Sequence, residues 1–147
     1  MSARDVLKQI KSKNVEYVDL RFTDPRGKLQ HLTMDKTIVD EGMLNDGVFF
    51  DGSSIAGWKA INESDMILKP DLSRTVMDPY TSHNTMILFC DILDAVKKDP
   101  YERDPRGIAK KAEAYLKKTG IGAVSYTHLR AHETVLDLVC RLLLEKK

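Results

Sequence analysis

Asp51-Gly52-Ser53-Ser54 is the stretch of this chain whose residue types could do chemistry. Val48-Phe49-Phe50 leads as an apolar run into the acid, Gly52 lets the backbone turn sharply, and two hydroxyls follow. Trp58, the only tryptophan, stands between small and polar residues, and Asp65 closes the segment. A loop of this make-up can present a carboxylate and a hydroxyl to a small cation. The plainer alternative is an Asx turn with a structural tryptophan, and read from the residues alone it is the more economical one. Elsewhere, His128 and His132 stand at i and i+4, the spacing two metal ligands use on a helix.

The elements around that loop follow from periodicity. Ser2 is placed to cap a short amphipathic helix to about Lys13, with Val6, Leu7 and Ile10 on its apolar stripe. Glu16 to Phe22 mostly alternates, as a half-buried strand does, and Asp24-Pro25-Arg26-Gly27 supplies turn chemistry before a return strand from Leu29 to Met34. Asp35 can cap a helix over Lys36 to Met43, closed by Asp46-Gly47. Asp65 to Pro70 reads as a short extended segment and Thr85 to Leu93 as a buried strand. Asp104 and Pro105 then open a helix as N-cap and first residue, with Ile108, Ala112, Tyr115 and Leu116 on one face and Gly120 as terminator. Asp-Pro-Arg-Gly occurs twice, at Asp24 and Asp104, once as a turn and once as a helix start, so it marks no repeat. The order of elements predicts a small α+β domain.

With 147 residues the chain has room for about one domain. A net charge of +1 without any basic run gives no reason to expect nucleic acid as a partner. No apolar run approaches the roughly 20 residues that cross a bilayer, so no membrane is expected. The first residues lack the apolar stretch of a secretory signal, and Cys90 and Cys140 lie far apart without a disulfide pattern, which makes a reduced cytoplasmic setting the expectation.

Asp51-Gly52-Ser53-Ser54, a spacer with Gly57-Trp58, then Glu63-Ser64-Asp65 before Met66 resembles the N-terminal signature of type I glutamine synthetases. Phe22-Thr23-Asp24 with Arg26-Gly27-Lys28, then Pro70-Asp71, and Asp99-Pro100-Tyr101-Glu102-Arg103-Asp104-Pro105-Arg106 agree as well, so the resemblance runs from about residue 3 to Gly122. It implies a β-grasp (ubiquitin-like roll) domain with flanking helices, followed by the start of a catalytic domain. The family ligates ammonia to glutamate at the expense of ATP, through an acyl phosphate. The resemblance implies that Asp51 binds ammonium and removes its proton, that Ser54 and Asp65 belong to the ammonium site, and that Trp58 lies near the nucleotide. Asp65 and Trp58 could equally serve to hold the loop in shape. It further implies a homo-oligomeric ring in which this domain packs on a neighbouring subunit's catalytic domain. That domain would supply the glutamates for Mg2+ or Mn2+, the arginines for glutamate and phosphate, and the nucleotide pocket; none of these is read in this sequence.

From Val124 the text changes character. Val124-Ser125-Tyr126-Thr127-His128-Leu129-Arg130-Ala131-His132-Glu133-Thr134 resembles the in-frame translation of a transposon-based sequencing adapter. Residues 124–147 are therefore expected to be an artefactual tail, and His128 and His132 adapter codons and no metal site. The expected organisation is a helix over 1–14, the β-grasp domain over 15–98, and the first helix of a truncated catalytic domain over 99–123. The reading is thus an N-terminal piece of an enzyme, inactive by itself. Two alternatives stay open: a non-catalytic β-grasp module that only binds a partner, and a γ-glutamyl ligase that uses another amine.

Overall fold

A computed structural model of the chain describes residues 1–55, 57–58 and 64–120. The tail from Val124, with His128 and His132, lies outside the described residues, as does Glu63 of the signature. The chain divides into two compact units, Met1–Lys110 and Lys111–Lys147.

The first unit is built on a mixed sheet in the order β2 (Leu29–Asp35), β1 (Tyr17–Thr23), β6 (Thr85–Asp94), β4 (Asp65–Pro70), β3 (Val48–Asp51). Strands β1 (Tyr17–Thr23) and β2 (Leu29–Asp35) form the expected antiparallel hairpin, in register from Tyr17 opposite Asp35 to Thr23 opposite Leu29. Its turn is closed by Asp24, whose carboxylate accepts the N–H groups of Arg26 and Lys28, each at 2.9 Å. Strand β3 (Val48–Asp51) lies at the other edge, antiparallel to β4 (Asp65–Pro70).

The long strand β6 (Thr85–Asp94) ties the halves together, parallel to β1 and antiparallel to β4. Its first half also pairs with the two-residue strand β5 (Val76–Met77). Beyond Phe89, where the pairing with β1 ends, the chain returns along β6 through a Leu93–Pro100 bridge and a Tyr101 N–H to Ile92 carbonyl bond of 2.9 Å. A strand edge that would otherwise leave unpaired backbone groups is covered in this way.

Alternation along the strands gives the sheet two faces. Val18, Leu20, Phe22, Met66, Leu68, Met86, Leu88, Cys90 and Ile92 point into the core. Helix α1 (Ala3–Ser12) covers them with Ala3, Val6 and Ile10, and α2 (Glu41–Asp46) with Leu44. Each fully buried aliphatic side chain stabilises the fold by roughly 1.5–3 kcal/mol relative to exposure. Ser2 and Asp5 close a reciprocal capping box at the start of α1.

The single helix expected over Lys36 to Met43 is two elements. Asp35 caps only a 3-10 turn, Lys36–Ile38, and Asp40 caps α2 by accepting the Met43 N–H at 2.7 Å. Thr37, Ile38 and Val39 are all β-branched, and Asp40 offers the backbone a better start two residues later. Gly47 ends α2 at φ +91°, where an added Cβ would stand 2.6 Å from the Leu68 carbonyl oxygen.

Helix α3 (Pro105–Thr119) starts on the expected cap and begins in the first unit. No residue of α3 is fully buried; on its apolar stripe Ile108 and Tyr115 are exposed and Leu116 is half-buried. In the second unit, Lys117 pairs with Glu113 one turn away, and Gly120 follows the helix at φ +70°.

Candidate functional site

The candidate site is assembled where edge strand β3 ends. Asp51 is the last residue of β3 and at once the cap of a 3-10 turn, Gly52–Ser54. One of its carboxylate oxygens accepts the Ser53 N–H at 2.8 Å and the Ser53 hydroxyl at 2.6 Å. The side chain is exposed. The Ser53 hydroxyl and N–H hold its carboxyl below the usual carboxylate range, helped by Ser64 and Ser54 and opposed by slight burial. At neutral pH this group is a fixed anion with hydroxyls around it.

Strand register brings Asp65 to the same place. Asp51 and Asp65 are direct partners in the β3–β4 pair, so both leave the same face of the sheet. Such positions put Cβ atoms about 4.5–5.5 Å apart, where two carboxylates repel each other and favour a cation between or beside them. Both acids are exposed, as is Ser54. Phe49, two residues before Asp51 on that face, is 66% exposed. Gly52 makes this closeness possible: its N–H donates to the Ser64 carbonyl at 2.7 Å, and an added Cβ would meet Met66 Cγ at 2.8 Å and the Ser64 oxygen at 3.0 Å.

Trp58 is placed differently from the other three. Its indole is 4% exposed and sits in an aromatic cluster, stacked on Phe22 at 5.7 Å and edge-on to Phe50 at 5.9 Å and Tyr101 at 6.0 Å. Its ring is held by the core, while Asp51, Ser54 and Asp65 share the open side. Trp58 Nε1 has no hydrogen-bond partner among the described residues.

Three contributors escaped the sequence reading. Ser53 is the residue that orients Asp51; its signal was the Asp-x-Ser spacing of an Asx turn. Tyr101 and Arg103 reach the loop from more than forty positions away, bonding the carbonyls of Trp58 and Gly57. No local pattern could announce them. As for metals, no three His, Cys, Asp or Glu side chains converge among the described residues. These residues do not by themselves fit a divalent ion. Among the described residues no helix is long and apolar enough to cross a membrane.

The family model for the glutamine synthetase β-Grasp domain matches residues 14–95. The chain belongs to the glutamine synthetase family. Its sequence is 61% identical over 136 residues to glutamine synthetase of Rhizobium meliloti (strain 1021), covering 92% of this chain and 29% of the relative. It is 60% identical over 121 residues to that of Methylococcus capsulatus, covering 82% of this chain and 26% of the relative. A cryo-EM structure of Plasmodium falciparum glutamine synthetase superposes with a TM-score of 0.73 at 25% identity, over 82% of this chain and 23% of that one. The expected α+β fold, a β-grasp domain of this family, is thereby established. The chain spans about 29% of the length of the curated relatives it matches.

Proposed function

We propose that this chain represents the N-terminal region of a glutamate–ammonia ligase, and that its Asp51 loop serves the ammonium step. The carrying observation is the pairing of two exposed carboxylates, Asp51 and Asp65, at the end of an edge strand, with Ser53 and Ser54 beside them. Ammonium is a cation without a free electron pair, so a site that uses it must first bind positive charge and then take a proton. Asp51, ionised and pinned by Ser53, suits the first task as it stands. As a base it is too acidic while it faces water. Covering the loop would remove water, raise the carboxyl and make it a better proton acceptor.

That need gives a physical reason for a second surface. The neighbouring subunit's catalytic domain, in a homo-oligomeric ring, is the proposed cover, and the exposed Phe49 beside Asp51 is consistent with a face that is buried on assembly. Glutamate, ATP and the Mg2+ or Mn2+ ions would be held by the much longer remainder of such an enzyme. Ser54 and Asp65 are proposed to share the ammonium site. Trp58, proposed to lie near the nucleotide, can do so only through the rim or backbone of a ring that the aromatic cluster already holds.

The test is a full-length ligase carrying this N-terminal region, with Asp51→Ala. The KM for ammonium should rise, or kcat fall, by roughly 10²-fold or more, as for loss of a general base, with the KM for ATP changed less than about three-fold. An unchanged response to ammonium would remove Asp51 from this role.

A further inference from the structure

Among the described residues, one short segment, residues 100–104, donates two side-chain hydrogen bonds to the loop after Asp51. That segment is itself fixed: Pro100 bridges Leu93, the Tyr101 N–H donates to the Ile92 carbonyl at 2.9 Å, and the Asp104 carboxylate accepts the Ile92 N–H at 3.3 Å. From this base the Tyr101 hydroxyl donates to the Trp58 carbonyl at 3.0 Å, and Arg103 Nη1 donates to the Gly57 carbonyl at 3.2 Å. Two consecutive carbonyls of the loop are thus taken by two side chains of one strap. Gly57 has φ +93°, a conformation in which its carbonyl is turned without cost only because no side chain is present.

The hold at Gly57 and Trp58 reaches Asp51 by two routes. The Trp58 N–H donates to the Ile55 carbonyl at 3.3 Å, and the Ile55 N–H to the Gly52 carbonyl at 3.1 Å, so the turns are linked end to end. The Trp58 indole also packs edge-on against Phe50, the residue before Asp51. The strap continues directly into α3, whose first turn is locked to the sheet by Arg106 on Asp91 and Asp71.

We propose that Tyr101 and Arg103 are positioning residues for the Asp51 loop, setting the stance of Asp51, Ser53 and Ser54 from the segment that starts α3. The consequence for ammonium rests on the function proposed above for Asp51; the positioning itself does not.

Because Trp58 is the only tryptophan, its fluorescence reports on this contact in the 147-residue chain without any assay of activity. Tyr101→Phe removes the hydroxyl and keeps the ring; Arg103→Gln removes the guanidinium at the exposed end. In each variant Trp58 emission should shift to the red and acrylamide quenching should rise. The amides of Ile55 and Trp58 should exchange about five-fold faster per lost hydrogen bond, with β1 and β6 unchanged. The double variant should show both changes together. Unaltered emission, quenching and exchange in the double variant would overturn the proposal. Exchange that rises evenly through β1 and β6 would also overturn it, since that pattern is global destabilisation. A failure here leaves the ammonium test of Asp51→Ala standing, so the two ideas fail separately.

Discussion

Asp51, at the end of a strand, and Asp104, after a turn, each open a helical turn by accepting backbone N–H groups, yet they end in opposite surroundings. Asp51 is exposed and caps a turn of three residues. Asp104 is 1% exposed and receives the N–H groups of Ile92, Arg106 and Gly107 at 3.1–3.3 Å. Burial, the largest influence, pushes the Asp104 carboxyl up despite those donors, whereas Ser53 holds Asp51 down. One local device therefore serves two ends: in the scaffold the carboxylate is spent on joining a strand to a helix, and in the loop it stays available to something outside. The cost of removing each group should differ accordingly.

The largest effect is expected at the scaffold. Asp104→Ala removes a helix cap, about 1–2 kcal/mol, and leaves the Ile92 N–H without its acceptor inside the protein, about 1–3 kcal/mol more. Urea unfolding of the variant should show a loss of about 3 kcal/mol, and Asp104→Asn clearly less, because its amide oxygen can still accept. Equal losses for the two would mean that the hydrogen bonds do not carry the stability and that the comparison with Asp51 is wrong.

A smaller effect is expected from crowding the loop. Gly52→Ala drives a methyl into Met66 and the Ser64 carbonyl, a contact only partly relieved by moving the Met66 side chain because Ser64 presents backbone. Overpacking of this kind costs about 1–3 kcal/mol. The β3–β4 pairing at Asp51 and Asp65 should loosen first, seen as faster amide exchange there than in β1. A thermal midpoint and exchange pattern equal to the parent chain would show that the close approach at Gly52 is not needed.

Much of this scaffold was legible in the sequence because it is written in short-range chemistry. The β1–β2 hairpin follows from alternation around Asp24-Pro25-Arg26-Gly27, and the start of α3 from Asp104-Pro105. The same tetrapeptide gave a turn in one case and a cap in the other, and only the apolar spacing that follows separates them. What stayed hidden depends on partners far along the chain: the parallel register of β1 on β6, the two-residue strand β5, and the reach of Tyr101 and Arg103 to the loop. The apolar stripe of α3 was read correctly as a stripe, but periodicity does not say whether anything covers it. At the site, residue types and spacing alone favoured a plain Asx turn, the resemblance implied roles for Asp51, Ser54 and Asp65, and strand pairing places the two acids opposite each other. Trp58 was legible as a special residue, and its burial among Phe22, Phe50 and Tyr101 was not, since those rings converge from three separate elements.

The finest test of the comparison is the sign of the pH dependence. A carboxyl raised by folding contributes stability that is complete below its unfolded value, about 3.8, and is lost as pH rises through the folded value. The stability of the parent chain relative to Asp104→Asn should therefore decline from about pH 4 upward. A carboxyl lowered by folding behaves in the opposite way: its contribution is present above 3.8 and is lost as pH falls through the folded value. Relative to Asp51→Asn, the parent chain should lose stability only below about pH 4, and the change should be the smaller of the two because water and salt screen an exposed group. Asparagine can still accept from the Ser53 N–H, so the turn survives and the comparison isolates the charge. Curves of the same sign for the two variants would mean that Asp51 and Asp104 share one environment, and the division into an available carboxylate and a structural one would fall.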